Sequence, residues 1–124
     1  MKKVILILAM LIGVAHAHEM TPTYPKWENA HISDILVTKM DIFNKRKDIE
    51  YYEIGLFDKD FKPIPFVSAY TVVELKYLGH LSFEVFINKE DKERAIYLCS
   101  KSKLRKGGDV RAVVSSRICS KFKE

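Results

Sequence analysis

Three histidines stand where they could bind a metal ion. The stretch Ala15-His16-Ala17 fits the small-x-small site of signal peptidase, and cleavage after Ala17 would make His18 the first residue of the mature chain. An N-terminal histidine offers its amine and a ring nitrogen to Cu(II), and a second histidine can supply a third nitrogen. The sequence therefore raises the hypothesis of a copper site built from His18, His31 and His80. The alternative is that His31 and His80 are ordinary surface or turn residues.

The two cysteines predict a disulfide. In an exported protein Cys99 and Cys119 should be oxidised, and two cysteines allow one intramolecular pairing. If they face each other on neighbouring antiparallel strands, paired residue numbers sum to 218 and the turn centres on residue 109. Residues 107–109 read Gly-Gly-Asp, which is turn chemistry. We therefore predict a hairpin with arms at 95–104 and 110–122 that carries a structural disulfide.

The same register assigns side chains to faces and yields a candidate binding surface. The apolar residues of the second arm should point to the core, while the disulfide and the bases lie on the outer face. Lys101 falls opposite Arg117, a like-charge pair that costs stability unless solvent or an anion screens it. The bases either protect an exposed strand or form a docking surface for a carboxylate or an acidic partner. The candidate partner-binding residues are Val110, Ala112, Val114, Ile118, Lys101 and Arg117.

The rest of the chain has the period of two that strands require. Apolar residues alternate with polar ones in 35–43, 50–57 and 80–88, which predicts half-buried strands. Polar, charged stretches between them predict turns, and the one at 88–93 could form a single helical turn. Pro22 and Pro25 favour an extended arm over residues 18–30. Short strands at this spacing predict an all-β antiparallel sandwich.

The composition and the length of the chain indicate its cellular compartment and the number of its domains. Lys2 and Lys3, followed by an apolar run over 4–14, predict a signal peptide at 1–17 rather than a membrane anchor, because a span needs about 20 apolar residues. Residues 18–124 then form one domain, periplasmic or secreted. Without the two leader lysines the bases number 19 against 16 acids, and the excess lies in the last 24 residues. Nucleic acid is not an expected partner, because aromatic residues are not interleaved with the bases along the sequence.

The sequence contains no motif of a catalytic nucleophile, of a metalloprotease or of a phosphate-binding loop. The chain is therefore predicted not to be an enzyme.

The order of segments resembles a known family. From "HISDILVTKMDIFNKRKDIEYYEIGLFDKDFKPI" through "AIYLCSKSKL" to "VRAVVSSRICSKF", the chain looks like the N-terminal immunoglobulin-like domain of periplasmic pilus-assembly chaperones. The resemblance implies an immunoglobulin-like sandwich whose last strand lends alternating apolar residues to an incomplete partner. The chain departs from the family in lacking a second domain, and Cys119 stands where a carboxylate-gripping lysine is expected.

The opening residues "HAHEMTPTYP" are also similar to those of small exported proteins of marine phages, which implies a phage-associated role as an alternative. The function predicted from the sequence is that of an exported, non-enzymatic binding or assembly protein without a cofactor and without a stable membrane anchor after cleavage. It would engage a protein partner by strand addition at its last hairpin. The sequence is also compatible with a periplasmic copper-binding protein and with a virion-associated structural protein.

Overall fold

The strands of the protein are short and follow the alternation of its sequence. The structure, a computed structural model, describes residues 18–103 and 115–122; the predicted leader lies outside this part of the chain. The described residues form one 3₁₀ turn, Lys89–Asp91, and nine strands. The strands are β1 Glu19–Thr21, β2 Glu28–Asn29, β3 Ile35–Phe43, β4 Tyr51–Phe57, β5 Val67–Ser68, β6 Val72–Glu74, β7 His80–Asn88, β8 Tyr97–Lys103 and β9 Arg117–Lys121.

Two antiparallel sheets face each other. The five-stranded sheet has the order β1-β3-β7-β5, with β2 also paired to β3, and the four-stranded sheet has the order β6-β4-β8-β9. Strands β5 and β6 follow each other along the chain but belong to different sheets, so this segment passes from one layer to the other. The order β1-β3-β7-β5 corresponds to the A-B-E-D sheet of an immunoglobulin-like sandwich and β4-β8-β9 to its C-F-G sheet, with β6 added beside β4. The predicted fold class is confirmed.

The core lies between the sheets and is formed by the faces that the alternation predicted. In β3 the alternate side chains from Leu36 to Ile42 are buried, and in β4 Tyr52, Ile54 and Leu56 are buried. In β7 the buried side chains are again alternate ones, Phe83, Val85 and Ile87, with Leu81 packed beside them. A period of two places one side of each strand against the opposite sheet, which removes that apolar surface from water.

The N-terminal arm connects the two layers along one side of the sandwich. Residues Glu19–Thr21 pair with β3 in the five-stranded sheet, and the chain then crosses to the four-stranded sheet, where the carbonyl oxygen of Thr23 accepts a hydrogen bond from the backbone N–H of Lys121 at 3.0 Å. Met20 is buried and joins the core from this arm. The polar stretch after β7 forms the single helical turn that its sequence allowed. No helix in residues 18–103 and 115–122 has the length and apolar character needed to cross a membrane.

Candidate partner-binding edge

The last two strands form the predicted hairpin register. Strand β8 pairs antiparallel with β9, Cys99 lies opposite Cys119, and Lys101 lies opposite Arg117. The two cysteines form a disulfide. The predicted disulfide and the predicted opposition of Lys101 and Arg117, which both follow from paired residue numbers that sum to 218, are confirmed. The turn at 107–109, together with Val110, Ala112 and Val114, lies outside the described residues, so the apolar row of the second arm is represented here by Ile118, which packs against the core.

The backbone groups of β9 alternate between facing β8 and facing away from it. The N–H of Ser102 bonds to the carbonyl of Ser116, and the N–H of Phe122 bonds to the carbonyl of Ile96, so the even-numbered residues of β9 direct their backbone groups at β8. Alternation in an antiparallel ladder turns the backbone groups of the odd-numbered residues outward.

The N-terminal arm runs beside β9, with β1 next to the strand and His18 in contact with Ser116, and it bonds to the outward-facing row at one end. The N–H of Lys121 bonds to Thr23, which is the point where the arm reaches β9. The outward N–H and C=O groups of Arg117 and Cys119 have no backbone partner among residues 18–103 and 115–122, because β9 is the last strand of its sheet in this part of the chain. These outward groups are the ones that could pair with a strand of another chain.

The outer face beside this edge combines bases with aromatic rings. Lys101 and Arg117 are exposed, as the register predicted. The guanidinium of Arg117 lies 5.6 Å from the centre of the Phe57 ring, so the side chain crosses β8 to reach β4. This cation–π contact gives the guanidinium a favourable partner, which offsets part of the repulsion expected of a like-charge pair.

The aromatic rings of this face are held by a glycine and a tight loop. A side chain at Gly55 would approach within 2.7 Å of the Phe57 ring, which shows that the ring folds back over the glycine. The Phe61 ring stacks on Tyr97 with centres 4.6 Å apart and planes within 7°. Asp58 closes the loop below Phe61 by accepting hydrogen bonds from the N–H groups of Asp60 and Lys62. The N–H of Lys62, and with it that of Asp60, holds the pKa of Asp58 below its usual value.

His18 is fully packed rather than exposed. Its side chain is 1% exposed, and Nε2 lies 2.7 Å from the Ser100 hydroxyl and 3.2 Å from the Ser100 carbonyl oxygen. The other ring nitrogen, Nδ1, lies 3.2 Å from the Ser116 hydroxyl, and the ring packs against Tyr52 at 4.4 Å. Burial lowers the pKa of His18, the Ser100 carbonyl opposes this, and the nearby Arg46 guanidinium lowers it further. The histidine ties the arm to β8 and to the residue that precedes β9.

The Ser100 hydroxyl and the His18 imidazole, 2.7 Å apart, have the chemistry of a nucleophile and a base. A serine activated by a histidine is a common arrangement in covalent catalysis. Here Ser100 is 0% exposed and His18 is buried against it, so the pair has no opening to a substrate. The contact is structural, because each group satisfies hydrogen-bonding capacity that would be costly to leave unpaired in the core.

The three histidines of the copper hypothesis lie in separate surroundings. His18 is enclosed by Ser100, Ser116 and Tyr52, whereas His31 is exposed in a bend and His80 is exposed at the start of β7 beside Asp41. In the described ranges no three His, Cys, Asp or Glu side chains are grouped to hold a metal ion. Copper binding stays a prediction from the sequence, without a three-histidine cluster in this part of the chain.

A second buried polar cluster holds the loop between β3 and β4. The amide nitrogen of Asn44 donates to the carbonyls of Ile49 and Leu75, and its amide oxygen accepts from the Tyr52 hydroxyl at 2.5 Å and from the N–H of Arg46. Burial raises the pKa of Tyr52 to about 12. Arg46 forms an ion pair with Asp48 and contacts the Ser116 hydroxyl, so this loop also supports the start of β9.

Sequence reasoning missed three contributors to the edge. Thr23 of the arm bonds to one end of β9, and the Phe57 ring lies under Arg117. The third contributor is the stacked pair of Phe61 and Tyr97. The parity of β4 and β8 placed Phe57 and Tyr97 on the outer face, and the Asp-x-Asp loop before Phe61 was a turn signal. The position of Thr23 beside Lys121 had no comparable signal, because the two are far apart in the chain.

Comparison with known proteins gives support for the fold. No protein-family model matches the chain, and none of the curated proteins matches it. Among solved structures it is similar to the crystal structure of the E. coli chaperone DraB, with a TM-score of 0.61 and 13% sequence identity. The match covers 86% of this chain and 54% of the DraB chain, so this chain spans about half the length of that structure. At this identity the likeness supports the immunoglobulin-like sandwich as a distantly chaperone-like fold.

Proposed function

We propose that this chain is an exported, non-enzymatic protein that binds another protein by adding one of the partner's strands to the open edge of β9. The observation that carries the proposal is the outward-facing backbone of Arg117 and Cys119, which has no partner in the described part of the chain. Main-chain hydrogen bonds to a free strand edge are a common mode of peptide recognition.

Two further observations support an exported binding protein. The Cys99–Cys119 disulfide is typical of an oxidising compartment such as the periplasm, which agrees with the leader predicted at residues 1–17. The fold is similar to that of a protein whose name describes it as a chaperone, and chaperones work by binding other proteins. The residues proposed to contact the partner are Arg117, Lys101 and Ile118, together with Val110, Ala112 and Val114, which lie outside the described residues.

The test uses a photo-crosslinking amino acid at Ser115, an exposed residue just before β9. Crosslinking in the producing cells should yield a discrete protein adduct that mass spectrometry identifies. The same group at Val67, which is 70% exposed on the five-stranded sheet, is the matched control and should not give that adduct.

The role of the backbone is isolated by a pair of variants. Proline at residue 117 removes an outward N–H and leaves the hydrogen bonds between β9 and β8 unchanged, whereas alanine removes the side chain alone. The Ser115 adduct should be several-fold weaker in Arg117→Pro than in Arg117→Ala. Circular dichroism and an intact disulfide confirm that both variants are folded. Equal adducts in the two variants would rule out strand addition at this edge.

A further inference from the structure

The outer face of the four-stranded sheet next to β9 carries three bases without acidic partners. Lys101, Arg117 and Lys121 are exposed, and in residues 18–103 and 115–122 none of them forms an ion pair. Lys103 on the same face differs, because it is paired with Glu53, the residue opposite Lys101 on β4. The face beside the open edge therefore has a local excess of positive charge.

The surface between these bases is apolar. Across the middle of the sheet, Gly55 pairs with Cys99 and Cys99 with Cys119, so a glycine and the disulfide occupy one row. The next row holds Phe57, Tyr97 and Lys121. No long side chain from the middle row stands between Arg117 and the aromatic residues.

An aromatic ring is kept on this face at a conformational cost. Phe61 has a positive φ of 58°, which is unfavourable for a bulky residue, and its side chain is still 45% exposed. The Asp58 loop holds this conformation through hydrogen bonds to the N–H groups of Asp60 and Lys62. Stability alone gives no reason to expose a phenylalanine in a left-handed conformation. The exposed Phe61 ring therefore favours a binding role for this face.

The position of the edge determines how a bound strand would meet this face. A strand added to β9 places alternate side chains on the outer face, about 4.5–5.5 Å from those of Arg117 and Cys119. A carboxylate opposite Arg117 would attract the guanidinium, which rests on the Phe57 ring in the chain by itself, and would then accept charge-assisted hydrogen bonds from it. Two positions along, a side chain opposite Cys119 would lie beside the disulfide, which favours an apolar group.

We propose that the outer face beside β9 selects an acidic polypeptide strand, one that carries a carboxylate and an apolar side chain two positions apart. This inference rests on the proposed function, because the strand addition brings the side chains to the face. A polypeptide fits better than a nucleic acid, since the outward N–H and C=O groups of Arg117 and Cys119 match a peptide backbone and Phe61 already has one ring face covered by Tyr97.

The experiment compares two synthetic peptides of about ten residues binding to the purified chain. Both have threonine at odd positions; the first has glutamate and phenylalanine in turn at even positions, and the second replaces each glutamate with glutamine. Fluorescence anisotropy should show the glutamate peptide binding at least tenfold more tightly at low salt. The difference should shrink as ionic strength rises, because exposed charge pairs are screened.

Variants of the protein assign the difference to this face. Replacing both Lys101 and Arg117 with glutamine should reduce the preference for the glutamate peptide to less than threefold. The matched control is Lys39→Gln, which changes an exposed lysine of β3 on the other sheet and should keep the full preference. A preference that survives the double substitution would overturn the assignment.

The remaining outcomes separate this inference from the proposed function. Equal binding of the two peptides, with both weakened more by Arg117→Pro than by Arg117→Ala, would overturn the acidic preference and leave strand addition standing. Failure of both peptides to bind would count against both proposals. Displacement of the glutamate peptide by a short oligothymidine of higher affinity would show that the face binds nucleic acid, and would overturn the proposal.

Discussion

At the scale of single residues, His18 joins three parts of the molecule that are distant in sequence. Its two ring nitrogens contact Ser100 on β8 and Ser116 just before β9, and its ring packs on Tyr52 of β4. A neutral imidazole can serve both hydroxyl contacts, since one nitrogen donates and the other accepts. A protonated ring would be a buried cation close to Arg46, with no acidic partner among these neighbours.

This arrangement predicts how stability depends on pH. Burial holds the pKa of His18 in the folded protein below its ordinary value of 6.5, so the unfolded chain takes up the proton first as the pH falls. The free energy of unfolding should therefore decrease as pH drops from 6.5 toward the lower folded-state pKa. Urea unfolding between pH 7.5 and 5 measures this loss.

The control for this prediction is His18→Gln, which keeps hydrogen-bonding groups but cannot be protonated in this range. The variant should be less stable at neutral pH and should depend less on pH between 6.5 and 5. The same pH dependence in the variant and the parent would show that His18 is not the responsible group.

At the scale of elements, the β8–β9 hairpin is held by a disulfide in its outer face. Cys99 and Cys119 close a loop with a sequence separation of 20, and the chain-entropy model gives about 3 kcal/mol for a loop of this size. Replacing both cysteines with alanine should lower the free energy of unfolding by about that amount, measured by urea denaturation. Thiol labelling without reductant should find no free cysteine in the protein isolated from its producing cells, and two labelled thiols would contradict both the pairing and the proposed oxidising compartment.

At the scale of the whole molecule, the N-terminal arm connects the two sheets. Met20 is 5% exposed in the core, and its neighbour Glu19 is on the surface, paired with Lys45. Met20→Ala should lower the free energy of unfolding by roughly 2–4 kcal/mol, because it leaves a cavity between the layers. Glu19→Ala should cost less than about 1 kcal/mol, since it breaks only a surface ion pair.

The unfolding transition tests whether the arm is part of the cooperative unit. Far-UV circular dichroism and Trp27 fluorescence should give the same midpoint in the parent and in Met20→Ala, as two-state unfolding requires. A loss confined to Trp27 fluorescence, with the sheets unchanged, would show that the arm unfolds on its own.

The sequence by itself determined the strands of the sandwich and the pairing of the last hairpin. Strand faces follow from an alternation that is complete within each segment, so β3, β4 and β7 could be read from their own residues. The register of Cys99 with Cys119 followed from two positions and a glycine turn, because antiparallel pairing has a constant sum of residue numbers.

Only the tertiary structure decided what surrounds these elements. The burial of His18 against Ser100, the cover that Thr23 gives to Lys121 and the reach of Arg117 to Phe57 all join segments that are far apart in the chain. Such contacts depend on which strands become neighbours and on how the arm crosses between the sheets, and periodicity within one segment carries no information about either. For that reason the structure shows His18, a candidate ligand in the sequence, packed in the core, and Arg117, one half of the like-charge pair, in contact with an aromatic ring.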